Sequence, residues 1–172
     1  MMRVAALLAS AMLFAILPAR ATETAETYET TLLGEGDLSA SSVAFFASCG
    51  DECYAATLDC DVTGAVSFEF GDVDAKIAAA AMTSETQDFA ITVADASYSF
   101  TILNLKYGGE MYGTWLVTGG LPGTSKAPEF AEALGKAANF KATIGSESLT
   151  LPVDADVKTW AAACMLRSAV AN

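Results

Sequence analysis

No histidine occurs anywhere in the 172 residues. That absence excludes the imidazole-based triads and dyads that activate serine or cysteine nucleophiles, and with them every histidine metal site. Basic residues are also scarce: nine lysines and arginines stand against 21 aspartates and glutamates, for a formal net charge of −12. A chain so poor in cations has no basic face to offer nucleic acid or an anionic membrane surface. No C-x-x-C is present, which argues against a thioredoxin-like redox role, and the spacing Cys49-x3-Cys53-x6-Cys60 lacks the knuckle of most zinc sites. Neither an S-x-x-K nor a G-x-S-x-G elbow occurs.

What is there begins with a leader. Arg3 gives a short positive start, Val4 to Leu17 form a small-and-apolar run, Pro18 breaks it, and Ala19-Arg20-Ala21 is a small-x-small cleavage pattern. Residues 1–21 read as a signal peptide, so the mature chain is expected to begin at Thr22. The run falls short of the ~20 residues that span a bilayer, and no later segment approaches that length. The expectation is a periplasmic or secreted protein with no membrane insertion after cleavage. Cleavage removes Arg3 and Arg20 and no acid, which deepens the formal charge to −14.

An even number of cysteines, Cys49, Cys53, Cys60 and Cys164, then meets an oxidising compartment. Three pairings are open. In each of them one bridge ties Cys164 to the 49–60 segment, and closing a loop of about 100 residues stabilises by up to ~4–5 kcal/mol in the chain-entropy model.

Residues 22–40 are rich in Thr, Glu and Gly and read as a flexible acidic lead-in with a short strand near Thr30–Leu33, dispensable for folding. Residues 41–172 read as one α+β domain: an antiparallel, twisted sheet with about three helices packed on it. Val43–Ala47 suits a buried strand and leads into a cysteine loop over 48–61. Val66, Phe68 and Phe70 alternate with polar neighbours, as do Phe89, Ile91 and Val93, then Tyr98, Phe100 and Ile102. Gly108-Gly109 suggests a tight turn into a strand over Tyr112–Thr118, with a loop at Gly119, Gly120, Pro122 and Gly123. Phe140, Ala142 and Ile144 pair off against Leu149, Leu151 and Val153 across Gly145-Ser146.

Helices are expected up to Met82, from Pro128 to Ala138, and after Asp154, so a unit of hairpin then helix recurs three times. Asp72-x-Asp74-x-Lys76 followed by alanines matches Asp154-x-Asp156-x-Lys158 followed by alanines. Duplication accounts for this, and so does the shared physics of capping a helix. In the last helix Val157, Trp160, Ala161, Cys164 and Met165 fall on one stripe, which turns Cys164 toward the core.

Candidate sites are few. Asp51, Glu52, Asp59 and Asp61 crowd the cysteine loop, where a bridge could hold hard oxygen ligands for calcium; a solvated acidic loop is the plainer reading. No other cofactor is implied. Tyr107, Tyr112 and Trp115 surround the Gly108-Gly109 turn and form a candidate binding ridge with Leu121. Tyr54 and the loop around Pro122 are secondary candidates. No catalytic residue stands out.

The stretch FFASCGDECYAA (Phe45–Ala56) resembles the aromatic-x-x-Cys…Cys entry of the invasion-associated locus B family, small exported proteins of alphaproteobacteria. Leu149–Val153 and the alanine-rich terminal helix are similar to that family's closing strand and helix. Members usually carry tryptophan before the first cysteine, where this chain has Phe45 and Phe46. The resemblance implies a non-enzymatic protein concerned with host interaction or the envelope, and transfers no catalytic residues. The sequence therefore points to an exported binding protein whose acidic surface favours a protein partner, a basic one best of all. An exported carboxylate-based or calcium-dependent hydrolase, or an inhibitor of a basic hydrolase, is the alternative. Ligand and oligomeric state stay open.

Overall fold

The computed structural model describes residues 27–34, 40–47, 54–73, 75–82, 88–108 and 115–170. The leader, Cys49, Asp51, Glu52, Cys53 and Tyr112 lie outside the described residues. Among the described residues nine strands form one antiparallel sheet: β1 (Tyr28–Leu33), β2 (Ser42–Ala47), β3 (Tyr54–Cys60), β4 (Val66–Val73), β5 (Asp88–Val93), β6 (Ala96–Tyr107), β7 (Trp115–Gly120), β8 (Asn139–Ile144) and β9 (Glu147–Pro152). The α-helices among the described residues are α1 (Ala75–Met82), α2 (Ala127–Lys136) and α3 (Ala155–Val170). Spatial order is β1-β2-β3-β4-β7-β6-β5-β8-β9, and the sheet curls nearly into a barrel. The α+β expectation holds; the recurring unit is met only in coarser form, because the runs before the helices have four, three and two strands and only the last is a hairpin. Each antiparallel run ends in a helix: β1–β4 in α1, β5–β7 in α2, β8–β9 in α3.

Strict alternation builds the concave face. Phe68 and Phe70 on β4, Phe89 and Ile91 on β5, Phe100 on β6, Val117 on β7 and Phe140 on β8 are all buried there. Their rings meet edge-on or stacked: Phe70 and Phe89 at 5.0 Å, Phe89 and Phe100 at 5.3 Å, Phe68 and Phe140 at 6.2 Å. The two longer helices close over this layer and pack on each other. Phe130 of α2 carries the join, 5.1 Å from Tyr98, 5.6 Å from Phe100 and 6.5 Å from Trp160 of α3.

Helix α3 starts where Asp154 accepts the amide hydrogens of Asp156 and Val157, 3.0 and 3.1 Å away, as expected of its cap. The stripe then buries Val157, Trp160, Ala161 and Cys164, and Ser168 extends it by one turn. Four links fasten this helix to the end of β3 and the start of β2. Cys164 is bridged to Cys60, 104 residues away. Trp160 Nε1 donates to the Ser41 carbonyl at 3.0 Å, which also accepts from the Cys60 amide at 2.8 Å. Arg167 donates to the Ala40 carbonyl at 3.3 Å, and Ser168 reaches Gly64. Gly64 has φ +76°, and a Cβ there would lie 2.4 Å from Ser168 Oγ, so only glycine lets turn and helix approach this closely.

Three expectations are corrected. The lead-in over 22–40 contains a full edge strand: β1 runs from Tyr28, pairs with β2 along six residues, and its Thr30 hydroxyl donates to Asp154 beside β9. Tyr28, Thr30 and Leu32 turn inward while Glu29 and Thr31 face water, a period of two hidden by threonines and acids. The loop over 48–61 holds β3 from Tyr54 to Cys60, paired on both sides. The loop at Gly119 and Gly120 is the end of β7 itself, because both glycines lie under neighbouring side chains. A Cβ on Gly119 would meet the inner Phe89 ring at 2.2 Å, and one on Gly120 would meet the outer Leu103 at 2.8 Å. Sequence marks them as turn residues; close packing is what requires them.

Candidate functional site

The alternation that fills the concave face leaves small and polar residues on the convex one. Ser42, Asp59, Ser67, Gly120 and Thr101 pair in register from β2 through β3, β4 and β7 to β6, one continuous cross-strand row. Their inward neighbours Val43, Cys60, Phe68 and Phe100 are buried, so the row faces out. It forms the floor of a groove of about 840 Å³, walled by Val62, Leu103, Leu121 and Pro122. Side chains this small make the hollow: Gly120 has none, and Leu103 leans over it from β6. A register shift between Ile102 and Asn104 interrupts the β6–β7 pairing where Leu103 sits. Val62 and Leu103 are 65% and 69% exposed, unusual for aliphatic side chains that flank a concavity.

Two carboxylates belong to this groove, and their surroundings push them in opposite directions. Burial raises the Asp59 carboxyl above its usual range and the charge of Glu69 adds to this, while the Ser42 hydroxyl, donating to it, works the other way. Asp61 is nearly fully solvated. Burial would raise it slightly, but the Thr63 hydroxyl at 2.6 Å and the amides of Thr63 and Ala65 at 2.8 and 3.0 Å outweigh that and hold it below the usual range. One oxygen of Asp61 is thus committed to the β3–β4 turn.

Two residues further along the strands lies a second row: Thr57, Glu69, Thr118 and Asn104. Glu69 accepts from Tyr54 at 2.9 Å and from Thr118 at 2.8 Å, so each carboxylate oxygen has a donor. The Tyr54 hydroxyl also lies 2.7 Å from Thr57 Oγ1. Burial, with Glu69 beside it, pushes the Tyr54 phenol well up, which keeps it a neutral donor. The Tyr54 ring crosses Gly71, whose Cβ would sit 2.4 Å from it. This network lies beside the groove floor on the same strands, and none of its members lines the groove.

The sequence candidates divide accordingly. Asp59 and Asp61 line the groove, and among the described residues no three of His, Cys, Asp and Glu gather as a metal-holding group. Asp51 and Glu52 lie outside the described residues. Tyr107, 53% exposed, and Trp115 do stand together with ring centres 5.5 Å apart. Leu121 is parted from that pair: it follows the other end of β7 and walls the groove, with Pro122 beside it. Sequence reasoning missed Ser42, Ser67, Thr101, Val62 and Leu103. The one legible signal was Leu103, an apolar residue directly after Ile102 on the polar side of an alternating strand.

No family model, no curated protein and no solved structure matches the chain significantly.

Proposed function

We propose that this chain is an exported, non-enzymatic binding protein of the cell envelope or extracellular space that engages a protein partner along the convex-face groove. The observation that carries the reading is the pairing of two exposed aliphatic walls, Val62 and Leu103, with a partly buried carboxylate on a floor of small polar residues. The disulfide and the Trp160–Ser41 bond fasten one end of the groove to α3, which supports a preformed site. The leader pattern, and the resemblance to the invasion-associated locus B family, support export. A photo-crosslinking residue in place of Ser67, in cells that make the protein, is expected to capture one discrete partner outside the cytoplasm. The same residue in place of Lys158 on α3 is expected not to. Equal capture from both positions, or a cytoplasmic, uncleaved chain, defeats the reading.

A second reading, a carboxylate-based hydrolase, draws on one observation: two carboxylates in one concavity are pushed apart in proton affinity, as acid–base pairs require. The commitment of Asp61 to its turn weighs against it. Hydrolysis of any glycoside or peptide substrate that is abolished by Asp59→Asn would favour this reading over the first.

A further inference from the structure

The groove has a length, a chemistry and a sign of charge. Its floor crosses five adjacent strands, β2, β3, β4, β7 and β6. Four interstrand spacings of ~4.8 Å make it about 19 Å long, the span of about six residues of extended chain at ~3.3 Å each. A volume of about 840 Å³ spread over that length is a trough rather than a compact pocket. Its walls are aliphatic at Val62, Leu103 and Leu121, and its floor offers the hydroxyls of Ser42, Ser67 and Thr101.

Its charge is of one sign only. Asp59 and Asp61 line the groove, and none of the lysines and arginines after Arg20 does. Ser42 donates to one Asp59 oxygen, and no cation among the described residues pairs with that carboxylate. Glu69 stands close enough to act on Asp59 electrostatically and adds to the negative field. A cation brought to Asp59 therefore meets charge that the fold leaves uncompensated, in a site partly withdrawn from water where such a pair is stronger than at the surface.

We propose that the groove accepts an extended segment of a basic polypeptide, one lysine or arginine side chain lying against Asp59 and its apolar neighbours against Leu103 and Val62. This deepens the binding reading above and rests on it. Alternate residues of an extended segment point the same way, so a cation with aliphatic residues two positions to either side matches a carboxylate in a groove with aliphatic walls.

The test uses the 15N-labelled, oxidised protein and the peptide Ac-Leu-Ser-Lys-Ser-Val-Gly-NH2, whose leucine, lysine and valine share one side of an extended chain, with versions carrying norleucine or glutamate at the lysine. The lysine peptide is expected to shift the amide resonances of Ser42, Ser67, Thr101 and Leu103 saturably and to leave those of α2 unmoved. Norleucine in the peptide, or Asp59→Asn in the protein, is expected to weaken binding at least tenfold, and glutamate to abolish it. Leu103→Ser, at an exposed position that leaves folding intact, is expected to weaken the lysine and norleucine peptides alike. Equal affinity for the lysine and norleucine peptides would overturn the cation inference while leaving the groove a binding site. Binding of n-butylammonium as tightly as the lysine peptide would overturn the polypeptide as its source. Shifts from no peptide at all would overturn this inference, whereas capture from Ser67 by crosslinking would still decide the broader reading.

Discussion

The two faces of strands β3, β4, β7 and β6 are made by the same backbone and differ in every other respect. Inside, Leu58, Phe68, Phe70, Val117 and Phe100 are sealed beneath α2 and α3. Outside, residues one step along, Asp59, Ser67, Glu69, Thr118 and Thr101, carry hydroxyls and carboxylates, and no residue of the described helices lines the groove there. Large side chains on one face and small ones on the other leave a solid core and an open trough on opposite sides of a single sheet. The difference teaches that the two-residue period of the strand separates the face that holds the fold together from the face that carries the groove. They meet at Cys60, whose side chain bridges to α3 while its neighbour Asp59 lines the groove.

Breaking that junction is expected to have the largest effect. Cys164→Ser releases a loop closed over 104 residues. It is expected to cost about 4–5 kcal/mol in the chain-entropy model and to lower the melting temperature by roughly 10–15 °C. Calorimetry reads the change, and thiol titration of the unfolded variant should find Cys60 newly reactive; neither changing would refute a structural bridge. Next comes the inner face by itself. Phe130→Ala is expected to cost about 3–5 kcal/mol, whereas Thr101→Ala on the outer row should stay within about 0.5 kcal/mol. Comparable losses in denaturant melts would erase the distinction between the faces.

The smallest effects sharpen the comparison through pH. The folded Asp61 carboxyl lies below its usual value of 3.8, so its stabilisation is present above that value and lost as pH falls through the folded one. Asp61→Ala is expected to cost about 1 kcal/mol at pH 7, chiefly through the lost turn hydrogen bonds, and less in acid. Asp59 has the opposite sign. Its folded value is raised, so its contribution is present below 3.8 and lost as pH rises through the folded value. Asp59→Asn is expected to be neutral or stabilising by about 0.5 kcal/mol at pH 7, with the gain gone by pH 3. Parallel pH profiles for the two variants would contradict their opposed environments.

Much of the inner face was legible. Phe68, Phe70, Phe89 and Ile91 announce their strands by alternation, and the stripe from Val157 to Cys164 announces its helix and the inward turn of the cysteine. These signals survive because burial selects large apolar residues at a fixed period. Strand β1 was legible only in part, since an edge strand needs just one half-buried face and can build it from Tyr28, Thr30 and Leu32. Gly119 and Gly120 were misread because the same residue type serves a turn and a crowded strand. The groove was almost silent: its floor is serine, threonine, glycine and aspartate, which a sequence shows equally well in any loop.

By itself the sequence determined the class of fold, the order of most of its strands and its helices along the chain though not β3, and the tie between Cys164 and the cysteine segment over 49–60. It also determined the acidity of the surface and the lack of imidazole chemistry. Only the tertiary structure decided which strands became neighbours, through the crossovers that place β7 beside β4 and β5 beside β8. The physical reason is range. Periodicity and capping act over a few residues, whereas the row from Ser42 to Thr101 is assembled by hydrogen bonds between strands far apart in sequence, and no local pattern encodes that register.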